Sequence, residues 1–398
     1  MTATAVVPAA DAARILVVDD TEANRDLLSR RLEKQGHRVA AVDSGAAALD
    51  RLRAEPFDLV LLDIMMPDMN GYEVLERLKA DRELRHLPVI MITAITEMDS
   101  VVRCIELGAE DHLAKPFNAT LLRARIESSL ARKRLRDREQ VHARSLEREL
   151  MIGHNIQASF LPEELPAVPG WDIAARVRPA RTVAGDFYDA FPLRGGERTA
   201  LVVGDVCDKG VGAALFMAVF RSLLRVVTAE TFAAAMPGSD DGRQVARSLR
   251  VLSDYNARTH SRANMFATLF FGVLDGASGR LAYVNAGHDP PALLRGGGVL
   301  RRLDPTGPAV GLLPDLEWRH DQVVLERGDM LLAFTDGVTD AKAPDGAMFG
   351  DERLFRAAAQ SGRSAAALVD GIEAAALQHI AGAAQFDDIT LLAAGRLP

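Results

Sequence analysis

Acidic residues close apolar runs in two separate stretches of this sequence. In the first, Asp19 and Asp20 follow ILVV (15–18) and Asp63 follows LVLL (59–62). Three carboxylates converging on one edge repel each other unless a hard cation lies between them, and Mg²⁺, which takes few carboxylates and keeps waters, fits that need. Thr93 ends VIMIT (89–93), and Lys115 stands before Pro116. A hydroxyl and an ammonium beside an acid cluster suit the binding of a transferred phosphoryl group. The second stretch carries four acidic motifs: AGDFYD with Asp186, VGDVCDKG with Asp205, FTDGVTDA with Asp336, and FDDIT with Asp387 and Asp388. One Asp beside Gly is often only a turn. Several set in apolar strands are different, because an ionised carboxylate near a core is costly without a partner. A pair of divalent cations supplies that partner. Such a pair lowers the pKa of a shared water and clamps phosphoryl oxygens for in-line attack, with no covalent nucleophile needed.

The elements that must hold these residues differ in texture. From Arg14 to about Leu130, short apolar runs alternate with helical patterns, with weaker runs near Val39 and at 112–114. Continuous apolar strands between helices indicate a doubly wound, five-stranded parallel sheet covered on both faces. Such a sheet presents functional residues at the C-terminal ends of its strands. The stretch 131–150 is charged and free of Gly and Pro, and reads as helix. Its apolar positions, with Leu135, Leu146 and Leu150 among them, fall roughly on one side. That leaves two readings, a solvated connecting helix or a coiled coil with a second copy. Beyond it, strand patterns at 200–206, 265–275, 280–286, 318–325 and 330–337 join helical patterns at 211–228, 243–260 and 364–380. Many strands with grouped helices indicate an α+β layered β-sandwich flanked by helices. The expected organisation is therefore a disordered tail at 1–11, a first domain at 12–130, a helical linker at 131–158 and a second domain at 159–398.

Composition narrows the function classes. The 398 residues allow two cores, and a net charge of −8 disfavours a nucleic-acid binder. Cys104 and Cys207 form neither a disulfide framework nor a zinc pattern, which is consistent with a reducing cytoplasm. The N-terminal residues lack a signal-peptide pattern, and no run of about 18 apolar residues is present, so no membrane partner is expected.

VVDD, DIMMPDMNG, Thr93 and KPF at 115–117 together resemble the signature of response-regulator receiver domains, over about residues 12–130. The resemblance implies that Asp63 accepts a phosphoryl group from a histidine kinase. It implies that Asp19, Asp20, Asp63 and the Met65 carbonyl hold Mg²⁺, that Thr93 and Lys115 contact the phosphoryl oxygens, and that Lys115–Pro116 is cis. His112 stands where the family usually has an aromatic switch residue. An imidazole there is planar but also polar and titratable.

The second set is similar to the bacterial branch of metal-dependent serine/threonine protein phosphatases, the type of the SpoIIE sporulation phosphatase, over about residues 150–395. IQASFLP (156–162), DKGVGAALFMA (208–218), YVNAGHDPPALL (283–294) and GLLP (311–314) join the acids in that likeness. It implies two Mn²⁺ or Mg²⁺ ions bridged by Asp205 with the Val206 carbonyl. Asp186 completes one site, and Asp336 with Asp387 the other, Asp388 being the alternative to Asp387. Arg181 and His288 are candidates for substrate contact, the alternatives being a surface role for Arg181 and a loop histidine stabilising its own turn for His288. Cys207 reads as a small strand residue, since the arginine of cysteine phosphatases is absent. The whole then reads as a cytoplasmic response regulator in which phosphorylation of Asp63 controls a phosphatase. Its implied substrate is a phosphorylated anti-sigma-factor antagonist, and a homodimer is expected. The alternative is a non-catalytic adaptor that uses a phosphatase-like domain only to bind a partner protein.

Overall fold

The computed structural model describes residues 12–94, 98–236, 238–260 and 265–398. The tail expected at 1–11 lies outside them. The chain divides into two compact units, with the division between Leu146 and Glu147.

The N-terminal unit alternates strand and helix: β1 (Arg14–Val18), α1 (Glu22–Lys34), β2 (Arg38–Val42), α2 (Gly45–Ala54), β3 (Leu59–Asp63), α3 (Gly71–Ala80), β4 (Val89–Thr93), α4 (Met98–Glu106) and β5 (Asp111–Ala114). The strands pair in parallel in the order β2-β1-β3-β4-β5. Every residue of β3 and β4 is buried, as a sheet covered on both faces demands. Asn70 starts α3 with a capping box, its side chain accepting from Glu73 N while Glu73 returns to Asn70 N. The next residue, Gly71, lies so close to the strand that a Cβ there would collide with the Asp63 carbonyl oxygen.

Helix α5 runs from Ala119 to Ala158, 40 residues without interruption. The sequence suggested a separate linker helix from 131, whereas the helix that follows β5 simply continues. Arg, Glu and Leu favour helix and no Gly or Pro intervenes before Gly153, so nothing in the sequence stops it.

The C-terminal unit is a four-layered sandwich. One antiparallel sheet has the order β13-β10-β9-β8-β7, the other β12-β11-β14-β15-β6. These strands are β6 (Trp171–Arg178), β7 (Phe187–Leu193), β8 (Arg198–Val206), β9 (Ala267–Asp275), β10 (Arg280–Ala286), β11 (Ala292–Arg295), β12 (Gly298–Arg302), β13 (Asp321–Val324), β14 (Met330–Phe334) and β15 (Ile389–Arg396). Helices α6 (Val211–Ala234) and α7 (Asp241–Thr259) cover the first sheet through Met217, Phe220, Val245 and Leu249. After the one-turn helix α8 (Asp336–Thr339), α9 (Gly350–Gln360) and α10 (Ala365–Ile380) cover the second sheet through Leu354, Leu368 and Ile372. Between the sheets lie Leu201, Val203, Phe270, Tyr283, Leu331, Ala333, Leu392 and Ala394.

Helix α6 is long and apolar enough to cross a membrane by length and composition alone. It packs instead on the sheet, with Ala213, Met217, Phe220 and Leu224 buried. Arg221 and Arg225 on the same helix both pair with the buried Asp189.

Candidate active sites

In the N-terminal unit, strand ends alone bring the acids together. Asp19, Asp20 and Asp63 each offer an oxygen within 4.8 Å of the others. Lys115 lies between two of them, its Nζ 2.9 Å from Asp19 Oδ2 and 2.9 Å from Asp63 Oδ2. Asp19 and Asp63 are buried, while Asp20 is exposed. Asn24 holds the Asp19 carboxylate from below, with Nδ2 3.0 and 3.1 Å from its two oxygens. Burial, then the charge of Asp19, raises the Asp63 carboxyl above the ordinary range despite its hydrogen bond to Lys115. Lys115 is itself raised: burial works against its charge, but the bonds to Asp19 and Asp63 outweigh that. Three oxygen-only donors on one edge, one of them open to solvent, fit a hard cation such as Mg²⁺. Thr93 is buried at the end of β4, and the Lys115–Pro116 peptide is cis. His112 is paired in register with Met91 and half-buried, and Met65 is exposed.

In the C-terminal unit, side-chain alternation does the placing. Along β8, Leu201 and Val203 point between the sheets, so Asp205, two residues on, points the same way. The same parity puts Asp388 and Thr390 on the inner side of Leu392 and Ala394, and Thr335 on that of Leu331 and Ala333. Asp186, just before β7, shares the face of Tyr188 and Ala190. The inner face of the sandwich therefore ends in carboxyls.

These carboxyls strain against each other. Asp186 is buried, and burial followed by the charges of Asp205 and Asp388 drives its pKa well above the usual carboxylate range. Its Oδ2 accepts from Thr335 Oγ1 at 2.6 Å. Asp205 is pushed up to about 7, by burial first and then by Asp336, although a hydrogen bond with Asp186 lowers it. Asp336 rises to about 6 through partial desolvation and the neighbouring Asp387, although its side chain reaches the surface. Four oxygen donors that cannot all ionise together are the donor set a pair of hard divalent cations would satisfy. Among the described residues these acids do not form a group of three within 4.8 Å; the receiver-type trio alone does so. A set spread over two ions has no need to close on one point.

The adjacent acids Asp387 and Asp388 divide the work. Asp388 is buried, with Oδ1 accepting from Ala180 N and Oδ2 from Gly185 N, each at 2.7 Å. Both of its oxygens thus hold the backbone that leads to Asp186. Asp387 lies nearer the surface and pairs with Lys209 Nζ at 2.7 Å. Gly337, opening the turn after β14, abuts this strand: a Cβ there would collide with the Asp388 carbonyl oxygen.

Two substrate candidates separate. Arg181 is exposed and without a hydrogen-bond or ion-pair partner among the described residues. His288 is buried; its Nδ1 lies 2.9 Å from Thr268 Oγ1, its N–H donates to Asn285 Oδ1 at 2.8 Å, and burial lowers its pKa to about 4. It is a neutral group bracing its own turn. The Cys207 thiol is raised by burial and accepts from Phe266 N, the opposite of a reactive thiolate.

The sequence reading missed Gln157 and His154 near the end of α5. Gln157 is buried, and its amide bonds the backbone of Ala184 in both directions, Oε1 accepting from Ala184 N at 2.9 Å and Nε2 donating to Ala184 O. His154 Nδ1 lies 2.7 Å from Thr182 O. The end of the long helix thus grips the segment that leads to Asp186. Polar residues in a charged helix read as solvated, so only Gln157, inside the IQASFLP motif, was signalled.

Comparison with known proteins matches both units. The family model "Stage II sporulation protein E (SpoIIE)" matches residues 195–397, just over half the chain. The chain belongs to the SpoIIE family. A response regulator receiver domain matches residues 15–127. The SpoIIE-type domain is of the metal-dependent phosphatase type, and its sandwich extends upstream of the matched region, since β6 pairs along β15. Protein IcfG of Synechocystis is 45% identical over 267 residues, covering 62% of this chain and 41% of that protein. Response regulator PleD of Caulobacter vibrioides is 42% identical over 116 residues, 29% of this chain and 26% of that protein. The chain thus spans less than half the length of either relative. The SiaA-PP2C domain of Pseudomonas aeruginosa shares the fold, with a TM-score of 0.53 at 19% identity over 65% of this chain and 99% of that one.

Proposed function

We propose that this chain is a response regulator whose phosphorylation at Asp63 sets the activity of a protein serine/threonine phosphatase. The observation that carries the catalytic half is the run of mutually repelling carboxyls from the buried Asp186 through the half-buried Asp205 to Asp336 at the exposed rim. In this reading Asp205 bridges two Mn²⁺ or Mg²⁺ ions with the Val206 carbonyl, Asp186 completes one site, and Asp336 and Asp387 hold the other. The ions supply an activated water and neutralise charge on the phosphoryl oxygens. Thr335 orients Asp186 through its hydroxyl, and Asp388 fixes the loop that presents it. In the receiver, Asp19 and Asp20 hold one Mg²⁺ with Asp63 and the Met65 carbonyl, while Lys115 and Thr93 meet the phosphoryl group. His112 takes the switch position.

For regulation, helix α5 and its Gln157 clasp on Ala184 support a route from receiver to metal strand. Coupling needs an element with two discrete arrangements that both sites bias. Leu135, Val141, Leu146, Leu150, Ile152 and Ile156 are all exposed on α5, which supports pairing with a second copy. The expected setting is the cytoplasm, the input a histidine kinase, and the substrate a phosphorylated anti-sigma-factor antagonist. The test is hydrolysis of a phosphoserine protein with Mn²⁺, with and without a small phosphodonor that labels Asp63, while light scattering records the dimer fraction. Turnover that survives EDTA, or that ignores labelling of Asp63, refutes the corresponding half.

A further inference from the structure

The rim of the phosphatase acids carries chemistry that the two-cation reading leaves unused. Phe386, the residue before Asp387, is 51% exposed. Two ammonium groups lie over its ring, Lys342 Nζ at 3.8 Å and Lys209 Nζ at 4.3 Å from the centroid. Their situations differ. Lys209 is already engaged, paired with Asp387 Oδ2 at 2.7 Å and donating to Phe386 O at 2.9 Å. Lys342 has no hydrogen bond or ion pair with any described residue, although its position follows Asp336 and Asp340 closely in sequence. A backbone bridge to Met348, itself 52% exposed, fixes the Lys342 main chain. An uncompensated positive charge is thus held by an aromatic ring and a strand bridge at the edge of a strongly acidic site.

The inner acids are too negative to accept an acidic polypeptide without help. Two bound divalent ions offset the carboxylates that hold them, but they act where the phosphoryl group lies. Chain on either side of that group passes over the rim, where a charge already neutralised by Asp387 offers little and Lys342 offers a full one. The ring of Phe386 and the thioether of Met348 add apolar surface for the flanking backbone and side chains.

We propose that Lys342, Phe386 and Met348 form the surface that reads the polypeptide flanking the phosphorylated residue, and that it selects acidic flanks. This rests on the phosphatase reading of the same site.

The test uses two peptides in which a non-hydrolysable phosphonate replaces the phosphoserine phosphate, one flanked by Asp and one by Asn. Their Kd values for the full-length chain are measured by fluorescence anisotropy in Mn²⁺. The Asp peptide binds the natural chain more tightly, by roughly two- to five-fold as expected for an exposed ion pair, and the advantage shrinks as salt is added. Lys342→Ala brings the ratio to about one, Lys342→Glu inverts it, and Lys342→Arg retains it. A ratio near one in the natural chain, or one that persists in Lys342→Ala, overturns the proposal. Mn²⁺-dependent turnover of p-nitrophenyl phosphate is measured alongside. Its absence refutes the phosphatase reading and leaves the binding ratio still decisive for the rim.

Discussion

The two acid clusters of this molecule meet the same electrostatic problem in opposite ways. In the receiver, Asp19, Asp20 and Asp63 close within 4.8 Å, and Lys115 bridges Asp19 and Asp63 from within the same unit. In the phosphatase domain the carboxyls are more dispersed and, among the described residues, carry no such internal bridge at their centre. Lys209 reaches Asp387 at the rim, while burial and repulsion push Asp205 to about 7 and Asp336 to about 6. Lys115 thus offsets part of the receiver's cluster from within the fold. The phosphatase acids lack such an offset at their centre among the described residues, and the proposed pair of ions would supply it.

The contrast breaks most visibly at Asp205. Asp205→Asn should lower Mn²⁺-dependent phosphatase activity by more than about 100-fold, beyond the upper range for partners that only support a metal ligand. Labelling of Asp63 by a small phosphodonor should continue, and an equal loss at both sites would dissolve the distinction. Lys115→Met attacks the other side. It strips two buried carboxylates of their shared cation and should cost about 3 kcal/mol in urea unfolding of the receiver without Mg²⁺, with part restored when Mg²⁺ is added. A loss that Mg²⁺ leaves untouched would show that Lys115 acts through packing instead.

The connection between the sites is tested by inserting two residues after Arg138, which turns the following helix by roughly 200°. Acyl phosphate should still form at Asp63, but its effect on phosphatase activity, about 5–150-fold for a typical coupling, should vanish. A normal response would make α5 only a tether. The smallest change concerns Thr335, which donates to Asp186 and accepts from Thr390 N at 3.1 Å. Thr335→Val should weaken Mn²⁺ binding about ten-fold in calorimetry without altering Mg²⁺ binding at the receiver.

How much of this was readable from sequence follows from where the signal lies. Strands β3 and β4 were plain because parallel strands buried on both faces are continuously apolar. Strand β6, reading WDIAARVR, was missed: its residues are half-buried and mix charge with Ala, and it is held by pairing along all of β15. Helix α9 was missed as well, because GDERLFRAAAQ begins like a charged loop and buries only Leu354 and Ala358. At the sites, the acids announced themselves by standing at strand ends. The different surroundings of Asp387 and Asp388 did not, since both are Asp and only the alternation set by Leu392 and Ala394 turns the second inward. Gln157 was hidden because its partner is a main-chain amide, which no side-chain pattern encodes. For His288 the sequence left two readings open, a substrate contact or a loop histidine bracing its own turn, and its burial and its bond to Asn285 favour the second.

The two glycines that press against carbonyl oxygens, Gly71 on Asp63 and Gly337 on Asp388, bear on how this protein can change over time. Each lies where the chain leaves an acid-bearing strand, and any side chain there would force the strand aside. Asp63 can be exchanged for asparagine with the backbone intact; Asp388, whose two oxygens both accept backbone N–H groups, and the two glycines cannot be exchanged without moving it. Variants selected only for staying folded should therefore keep both glycines and Asp388 but drift at Asp63, becoming silent scaffolds of the same shape. Variants selected for signalling must keep all four, so which of these positions varies would reveal whether a descendant still transmits anything.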